Sequence, residues 1–301
     1  MKYKCAGIVL YNPNLDRLKE NIDSVYKQVD VIIIVDNNSK NFNQFLNLYK
    51  YDSKILIIKN DENKGIATAL NKLSIEAKNL GYEWIMFLDQ DSICCDNIMD
   101  LYKPYINKDK LALICPYIVD INKMTFNDFV NLCLPKTSSL LWAITSGSLV
   151  KIEVLLKLGG FEEYLFIDGV DIEYSKRLKV NGYKQLRINK AYLLQEVGKA
   201  DILKIKRIHK DMAGTITWKP LYRTNHSSIR QYYTARNDII IAKKYRKYQS
   251  YTKNIVKVIL MNIIKIMIER DKKEKTKSIF KGLYDGFKYE VVPYKRMEGK
   301  R

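Results

Sequence analysis

The stretch 84-WIMFLDQDSICC-95 decides the fold. Trp84 to Leu88 are apolar without a break, too few for an ordinary helix and too continuous for a strand with one wet face. Such a run suits a strand buried on both faces, as in the parallel sheets of α/β proteins. It ends in Asp89 and Asp91, carboxylates that would share one face of a continuing strand and repel each other.

The same pattern recurs on either side. The segments 5-CAGIVLY-11, 31-VIIIVD-36, 54-KILIIK-59 and 111-LALICP-116 read as strands. Helical stretches lie between them, over residues 15–26, 43–51, 66–80 and 96–105. In the third of these, Ile66, Ala69, Leu70, Leu73 and Ala77 recur at helical spacing. This alternation predicts an α/β fold with a Rossmann-like, mainly parallel central sheet flanked by helices. Ligands of such sheets bind beyond the carboxyl ends of the strands. Here those ends carry Tyr11-Asn12, Asp36-Asn37-Asn38-Ser39, the run Asn60 to Gly65, and Asp89-Gln90-Asp91-Ser92. Four polar, mostly acidic strand ends would converge on one edge.

Several classes are disfavoured. No glycine-rich dinucleotide fingerprint follows the first strand, and no Gly-Lys-Ser/Thr phosphate loop occurs, which argues against a nicotinamide enzyme and an ordinary nucleotide hydrolase. The 301 residues, 47% hydrophobic, suffice for a well-packed core. The five cysteines include the adjacent pair Cys94 and Cys95 and show no metal-type spacing, so they read as reduced, mostly buried thiols of a cytosolic protein. The apolar run at the N-terminus is too short for a signal peptide or a membrane span, and no 18-residue uncharged apolar segment occurs.

The net charge of +19 is lopsided. Residues 1–200 hold 26 Lys and Arg against 24 Asp and Glu, while residues 201–301 hold 26 against 9. The expected organisation is a near-neutral catalytic domain over 1–200 and a basic, mainly helical region over 201–301 that meets an acceptor or a membrane. The segment 254-NIVKVILMNIIKIMIERDKKEKTK-277 reads as an amphipathic helix able to lie in an anionic membrane surface, or to pack on the core with a solvated basic end. The mixture of Arg, Lys and Tyr after Ser228 would also suit nucleic acid, but no nucleic-acid module is present and that partner is disfavoured.

Two carboxylates at one point need a cation between them. Mg2+ or Mn2+ takes oxygen ligands, keeps water and is commonly shared with substrate phosphates. The plainer alternative is a solvated loop, or Asp91 or Ser92 capping the next helix. Asp36 is suited to a nucleobase or ribose, and equally to an Asx-turn in DNNS.

Taken in order, IVLYN, IIIVDNNS, NDENKGIATALN, FLDQDS, TSGSLVK and GGFEEYLFIDGVDIEYSKRLKVNGYK resemble the inverting family 2 glycosyltransferases, which bind nucleotide sugars on a GT-A fold. These pieces fall within about residues 5–195, and FIDGVDIEYSKR, RQYYTARN and GLYDGFK look most like the rhamnosyltransferase branch that builds bacterial surface polysaccharide. The resemblance implies a dTDP-rhamnose donor, a divalent cation, and a lipid-linked or polysaccharide acceptor met at the inner face of the cell membrane. It implies nucleotide contacts from Tyr11, Asn12, Asp36, Asn38, Asn63, Gly65 and Asp89. Metal ligation falls to Asp91 with Asp89, and sugar or acceptor contacts to Ser146, Gly147, Glu173 and Arg177. Asp171 becomes the catalytic base, with Asp168 its rival. Apart from the resemblance, His226, Arg230 and Arg236 of the basic third are expected at the sugar, acceptor or donor phosphate.

The chain departs from the family at two points. Val170 stands where the Glu of a Glu-Asp pair is usual, so anchoring on Arg177 selects Asp171 and anchoring on Phe166-Ile167 selects Asp168. Gln195 or Glu196 occupies the region of a metal-binding His in many relatives, leaving Gln195, a water or His226 as the third ligand. Alternatives to a rhamnosyltransferase are transfer of another hexose or N-acetylhexosamine, and a non-catalytic nucleotide or glycan binder.

Overall fold

The computed structural model describes residues 2–196, 201–223 and 225–297. The chain opens with β1 (Cys5–Leu10), α1 (Leu15–Tyr26), β2 (Val31–Asp36), α2 (Phe42–Tyr49), β3 (Ile55–Lys59), α3 (Gly65–Asn79) and β4 (Trp84–Asp89). Then come β5 (Ile93–Cys94), α4 (Ile98–Tyr102), β6 (Leu111–Asp120), α5 (Phe126–Val130), β7 (Thr137–Ser139), β8 (Leu149–Lys151), α6 (Ile152–Lys157), α7 (Val170–Val180) and β9 (Lys184–Gln195). The last third holds β10 (Asp201–Lys210), β11 (Ile216–Arg223), α8 (Ser228–Lys244), α9 (Tyr251–Ile268) and α10 (Lys272–Lys288).

The central sheet runs β3-β2-β1-β4-β8-β6-β9-β5, with β7 also on β9. Its first half is parallel: β1 pairs with β2 and β4, and β2 with β3. Strand β8 is antiparallel to both neighbours, while β6 and β9 are parallel. The apolar run of β4 divides by alternation. Trp84, Met86 and Leu88 enter the core beneath α1 and α4, and Ile85 and Phe87 enter the core beneath α3 and α7. Burial on both faces explains why that strand has no polar phase.

Four expectations shift. Strand β6 runs on to Asp120, because β9 pairs with it past the register break at Pro116/Tyr117. The helix expected over 96–105 is α4 alone, followed by a 3-10 turn that accommodates Pro104. The helix expected over 254–277 is two helices, parted at Asp271, whose φ of 53° leaves the helical region. The basic third is also not purely helical, since β10 and β11 form an antiparallel hairpin. Its lysines interrupt the apolar alternation that would have marked the strands.

The expected division at residue 200 falls at 197–200, outside the described residues. The last third is nevertheless joined to the first part: Ile240, Ile241 and Tyr245 of α8 and its C-cap lie in one core with Val170 and Tyr174 of α7.

Candidate active site

The parallel register brings the strand ends together. Leu10 pairs with Asp36, Val9 with Asp89, and Asp36 with Lys59. Asp36 and Asp89 therefore end the strands on either side of β1, about 10 Å apart at neighbouring-strand spacing. Short hydrogen bonds tie the loops beyond them. The Tyr11 N–H donates to Gln90 Oε1 (2.9 Å), and the Asn12 N–H to Ser39 Oγ (2.8 Å). Asn12 Oδ1 accepts from the Lys40 N–H (2.8 Å). The Tyr11 ring itself is exposed.

Asp36 is 1% exposed. One oxygen accepts the Ser39 N–H (2.9 Å), the Asx-turn that the sequence offers. Its Oδ1 is buried with no hydrogen-bond partner, a free acceptor at the strand end. Asn38, beside it, is exposed at φ 64°. Asn63 Oδ1 accepts the Gly65 N–H (3.0 Å) at the start of α3. Gly65 has φ +83°, and a Cβ there would lie 2.6 Å from the Phe166 carbonyl oxygen, so only glycine fits. The Ile66 N–H donates to that same carbonyl (2.7 Å), which pins α3 to the loop before α7.

Asp89 and Asp91 occupy the turn after β4. Asn21 of α1 donates to the carbonyls of Asp89 (3.0 Å) and Ser92, and so fixes the turn from below. The Asp89 N–H donates to Ser146 Oγ (3.0 Å), and Asp89 Oδ2 accepts from Gln195 Nε2 (2.8 Å). Burial pushes the Asp89 carboxyl up to about 6, with further pressure from Asp91 and then Asp171. Burial also raises Asp91. Asp171, in the first turn of α7, is pushed up to about 6 by burial and then by Asp168. Its Oδ1 accepts the Ile172 N–H (2.8 Å). Asp89 thus feels both Asp91, two residues on in the same turn, and Asp171 of α7, so carboxylates of two segments meet there.

Asp168 is engaged otherwise. Arg230 forks onto it, with NH2 2.9 Å from Oδ1 and Nε 3.2 Å from both oxygens, and Thr234 Oγ1 adds a bond at 3.1 Å. Other residues of 230-RQYYTARN-237 also grip this loop. Asn237 Nδ2 donates to the carbonyls of Leu165 (2.8 Å), Ile167 (2.8 Å) and Asp168 (2.7 Å). Arg236 NH2 donates to those of Tyr164 (2.7 Å) and Leu165 (3.3 Å). Tyr233 stacks on Phe166. The loop needs such a hold, because Phe166, Asp168 and Gly169 all have left-handed φ, at 62°, 62° and 81°.

The other residues expected at the sugar or acceptor differ in burial and in partners. Glu173 is fully buried, held by Arg177, by Lys244 (2.7 Å) and by Tyr245 OH (2.7 Å). Burial pushes its carboxyl up, but Arg177 and Lys244 outweigh this and leave it below the usual range. Arg177 also donates to the Leu158 carbonyl (2.7 Å). This pair braces α7 and presents nothing to a ligand. Arg236 is buried in the loop clamp, its guanidinium over the Tyr233 ring. Ser146 is buried behind the Asp89 turn, where its hydroxyl meets Ser92 Oγ (3.0 Å). Gly147 packs on Pro116 at φ +74°, and its carbonyl accepts from Tyr102 OH (2.8 Å). His226 is half-buried, and burial and Arg230 lower its pKa, while Asp168, Lys265 and Glu269 act on it more weakly. Among the described residues no three His, Cys, Asp or Glu side chains form a metal cluster.

Sequence reasoning missed Asn21 and Thr234. Both act through contacts spanning more than sixty residues, which leave no local pattern.

A half-parallel sheet covered on both faces, with its acidic strand ends on one edge, defines a GT-A-type glycosyltransferase fold. Residues 5–154 match the model of Glycosyl transferase family 2, and the chain belongs to that family. It is 28% identical to the dTDP-rhamnosyl transferase RfbF of Shigella flexneri over 256 residues, 79% of each chain. Among solved structures it is similar to residues 1–349 of S. aureus TarS in complex with UDP-GlcNAc. That match has a TM-score of 0.58 and 12% identity, and covers 96% of this chain and 81% of that one. GalNAc-T7 with UDP, GalNAc and Mn2+ matches at a TM-score of 0.58 and 16% identity, over 82% of this chain. The chain spans about half of that protein, 48% of its length. These structural likenesses speak to the fold.

Proposed function

We propose that the protein transfers rhamnose from dTDP-rhamnose, with inversion, to a hydroxyl of a lipid-linked saccharide or growing polysaccharide in bacterial surface polysaccharide synthesis. It would work in the cytoplasm, peripherally attached to the inner face of the cell membrane. The carrying observation is the convergence of Asp89, Asp91 and Asp171 while Asp168 is neutralised by Arg230. The rhamnosyl donor rests on the likeness to RfbF.

The residues fit a divalent cation. Asp89 is destabilised by two neighbouring carboxylates, a repulsion that a cation would relieve, and Asp91 offers a second set of oxygens. GalNAc-T7, which shares the fold, was solved with Mn2+. Asp91 and Asp89 would hold the cation, with water and donor phosphates completing its shell, and Gln195 would orient Asp89. Bound there, Mg2+ or Mn2+ supplies charge neutralisation to the departing diphosphate. Asp36, one oxygen of which has no hydrogen-bond partner, would accept the N3–H of thymine, and the exposed Tyr11 ring would cover the base.

Asp171 takes the acceptor hydroxyl proton as that oxygen bonds to the anomeric carbon and the bond to dTDP breaks. A carboxyl held near 6 is a stronger base than an ordinary aspartate and is still ionised at neutral pH. The test is a donor screen with the purified protein. Turnover of dTDP-rhamnose above UDP-GlcNAc supports the reading, and preference for another nucleotide sugar replaces the donor.

A further inference from the structure

We propose that the outer faces of α9 and of the β10–β11 hairpin dock together on an anionic lipid bilayer. The proposal deepens the acceptor reading above by naming the surface on which a lipid-linked saccharide would be met. No helix among the described residues is long and apolar enough to cross a membrane, so the contact would lie in the interface plane.

Helix α9 is turned the wrong way for a solvated helix. Val256, Ile259, Leu260, Ile263 and Met267 fall within an arc of about 100° at ordinary helical pitch. All five are 37% to 68% exposed. The protein-facing side carries Asn262, 2% exposed, and Met261, whose sulfur accepts from Arg207 of the hairpin (3.5 Å). Lys253 and Lys257 flank the apolar arc and help to line a groove of about 480 Å³ with Val256, Leu260 and Ile264.

The hairpin repeats the arrangement. Its register pairs Ile202 with Tyr222, Lys206 with Pro220, Ile208 with Trp218, and Lys210 with Ile216, which places these residues on one face. Ile202, Ile208, Ile216 and Trp218 are 60% to 68% exposed. Arg207, on the opposite face, reaches α9. Two adjoining elements thus expose large apolar side chains interleaved with lysines. Trp and Lys suit the boundary between acyl chains and anionic headgroups.

Charge decides the occupant. Residues 201–301 carry 26 Lys and Arg against 9 Asp and Glu, so a second copy would bring like charge to like charge, whereas an anionic bilayer complements it. The location also serves the chemistry. The hairpin follows β9, whose last residue, Gln195, touches Asp89.

Co-sedimentation of the full chain with vesicles tests this. Wild type should pellet with phosphatidylcholine–phosphatidylglycerol vesicles, weakly with phosphatidylcholine alone, and be released by salt. A Leu260→Ser/Met267→Ser variant and a Trp218→Ser variant should each bind about tenfold more weakly or worse, while folding and turnover of a soluble acceptor persist. Equal binding by wild type and variants, no binding by wild type, or a dimer in sedimentation velocity that these substitutions dissolve would overturn the proposal. Vesicle binding is read without turnover, so a wrong donor or an inactive protein leaves this outcome distinct.

Discussion

Asp171 and Asp168 are three residues apart, and their surroundings separate them. Asp168 gives both oxygens to Arg230 and Thr234, whereas Asp171 bonds only to a backbone N–H beside it. Replacing Asp171 by Asn should therefore cut kcat by roughly 10²–10⁴-fold with the donor Kd held. The sign of the pH effect follows from the raised carboxyl. The base works when deprotonated, so kcat should rise with pH through about 6 and level off above it, as steady-state rates across pH would show. A carboxyl whose pKa is higher folded than unfolded costs stability once pH exceeds its unfolded value, and the cost is complete above about 6. Asp171→Asn should hence raise the melting temperature at pH 8 and change it little at pH 3. The strand pattern indicated Asp89 and Asp91 because an apolar run can end in carboxylates only at its edge. It gave no sign that Glu173, Arg177 and Arg236 are interior groups. For Glu173 and Arg236 the partners, Lys244 and Tyr245 or the Tyr164 and Leu165 carbonyls, lie some seventy residues away along the chain.

At the scale of elements, α8 is a clamp on the loop that leads into α7. Arg230→Gln would leave Asp168 charged and unpaired beside Asp171, so the acidic limb of the pH–rate profile should move upward, and Arg230→Lys should restore part of the shift. A merely structural loss would lower the rate without moving the limb. Asn237→Ala strands three carbonyls and should lower unfolding stability by about 1–3 kcal/mol, measured by denaturant titration. Gly65→Ala should weaken donor binding and stability together, since the new methyl meets the Phe166 carbonyl at a left-handed φ. The parallel strands and their helices were legible because periodicity and burial agree there. The hairpin was not, because Lys204, Lys206, Arg207 and Lys210 break the apolar rhythm of β10. The split between α9 and α10 was hidden too, since a left-handed Asp271 carries no glycine or proline signal.

Over the whole molecule, charge and chemistry are segregated. The near-neutral first two thirds bring carboxylates to one edge of a half-parallel sheet, and the basic last third clamps the loop that leads into α7 and exposes its apolar faces. Chelation of divalent cations should abolish turnover and weaken dTDP binding, restored by Mg2+ or Mn2+, and Asp91→Ala should reproduce the weakening in calorimetric titration with dTDP. The central claim is that one edge both holds the donor and deprotonates the acceptor, through different carboxylates. The most direct measurement is dTDP release from dTDP-rhamnose by wild type and Asp171→Asn, with acceptor and divalent cation present, beside donor Kd values for both. The account predicts release by wild type, release slowed about a hundredfold or more by the variant, and equal Kd. Turnover by Asp171→Asn at the wild-type rate, or loss of donor binding with it, would contradict the account.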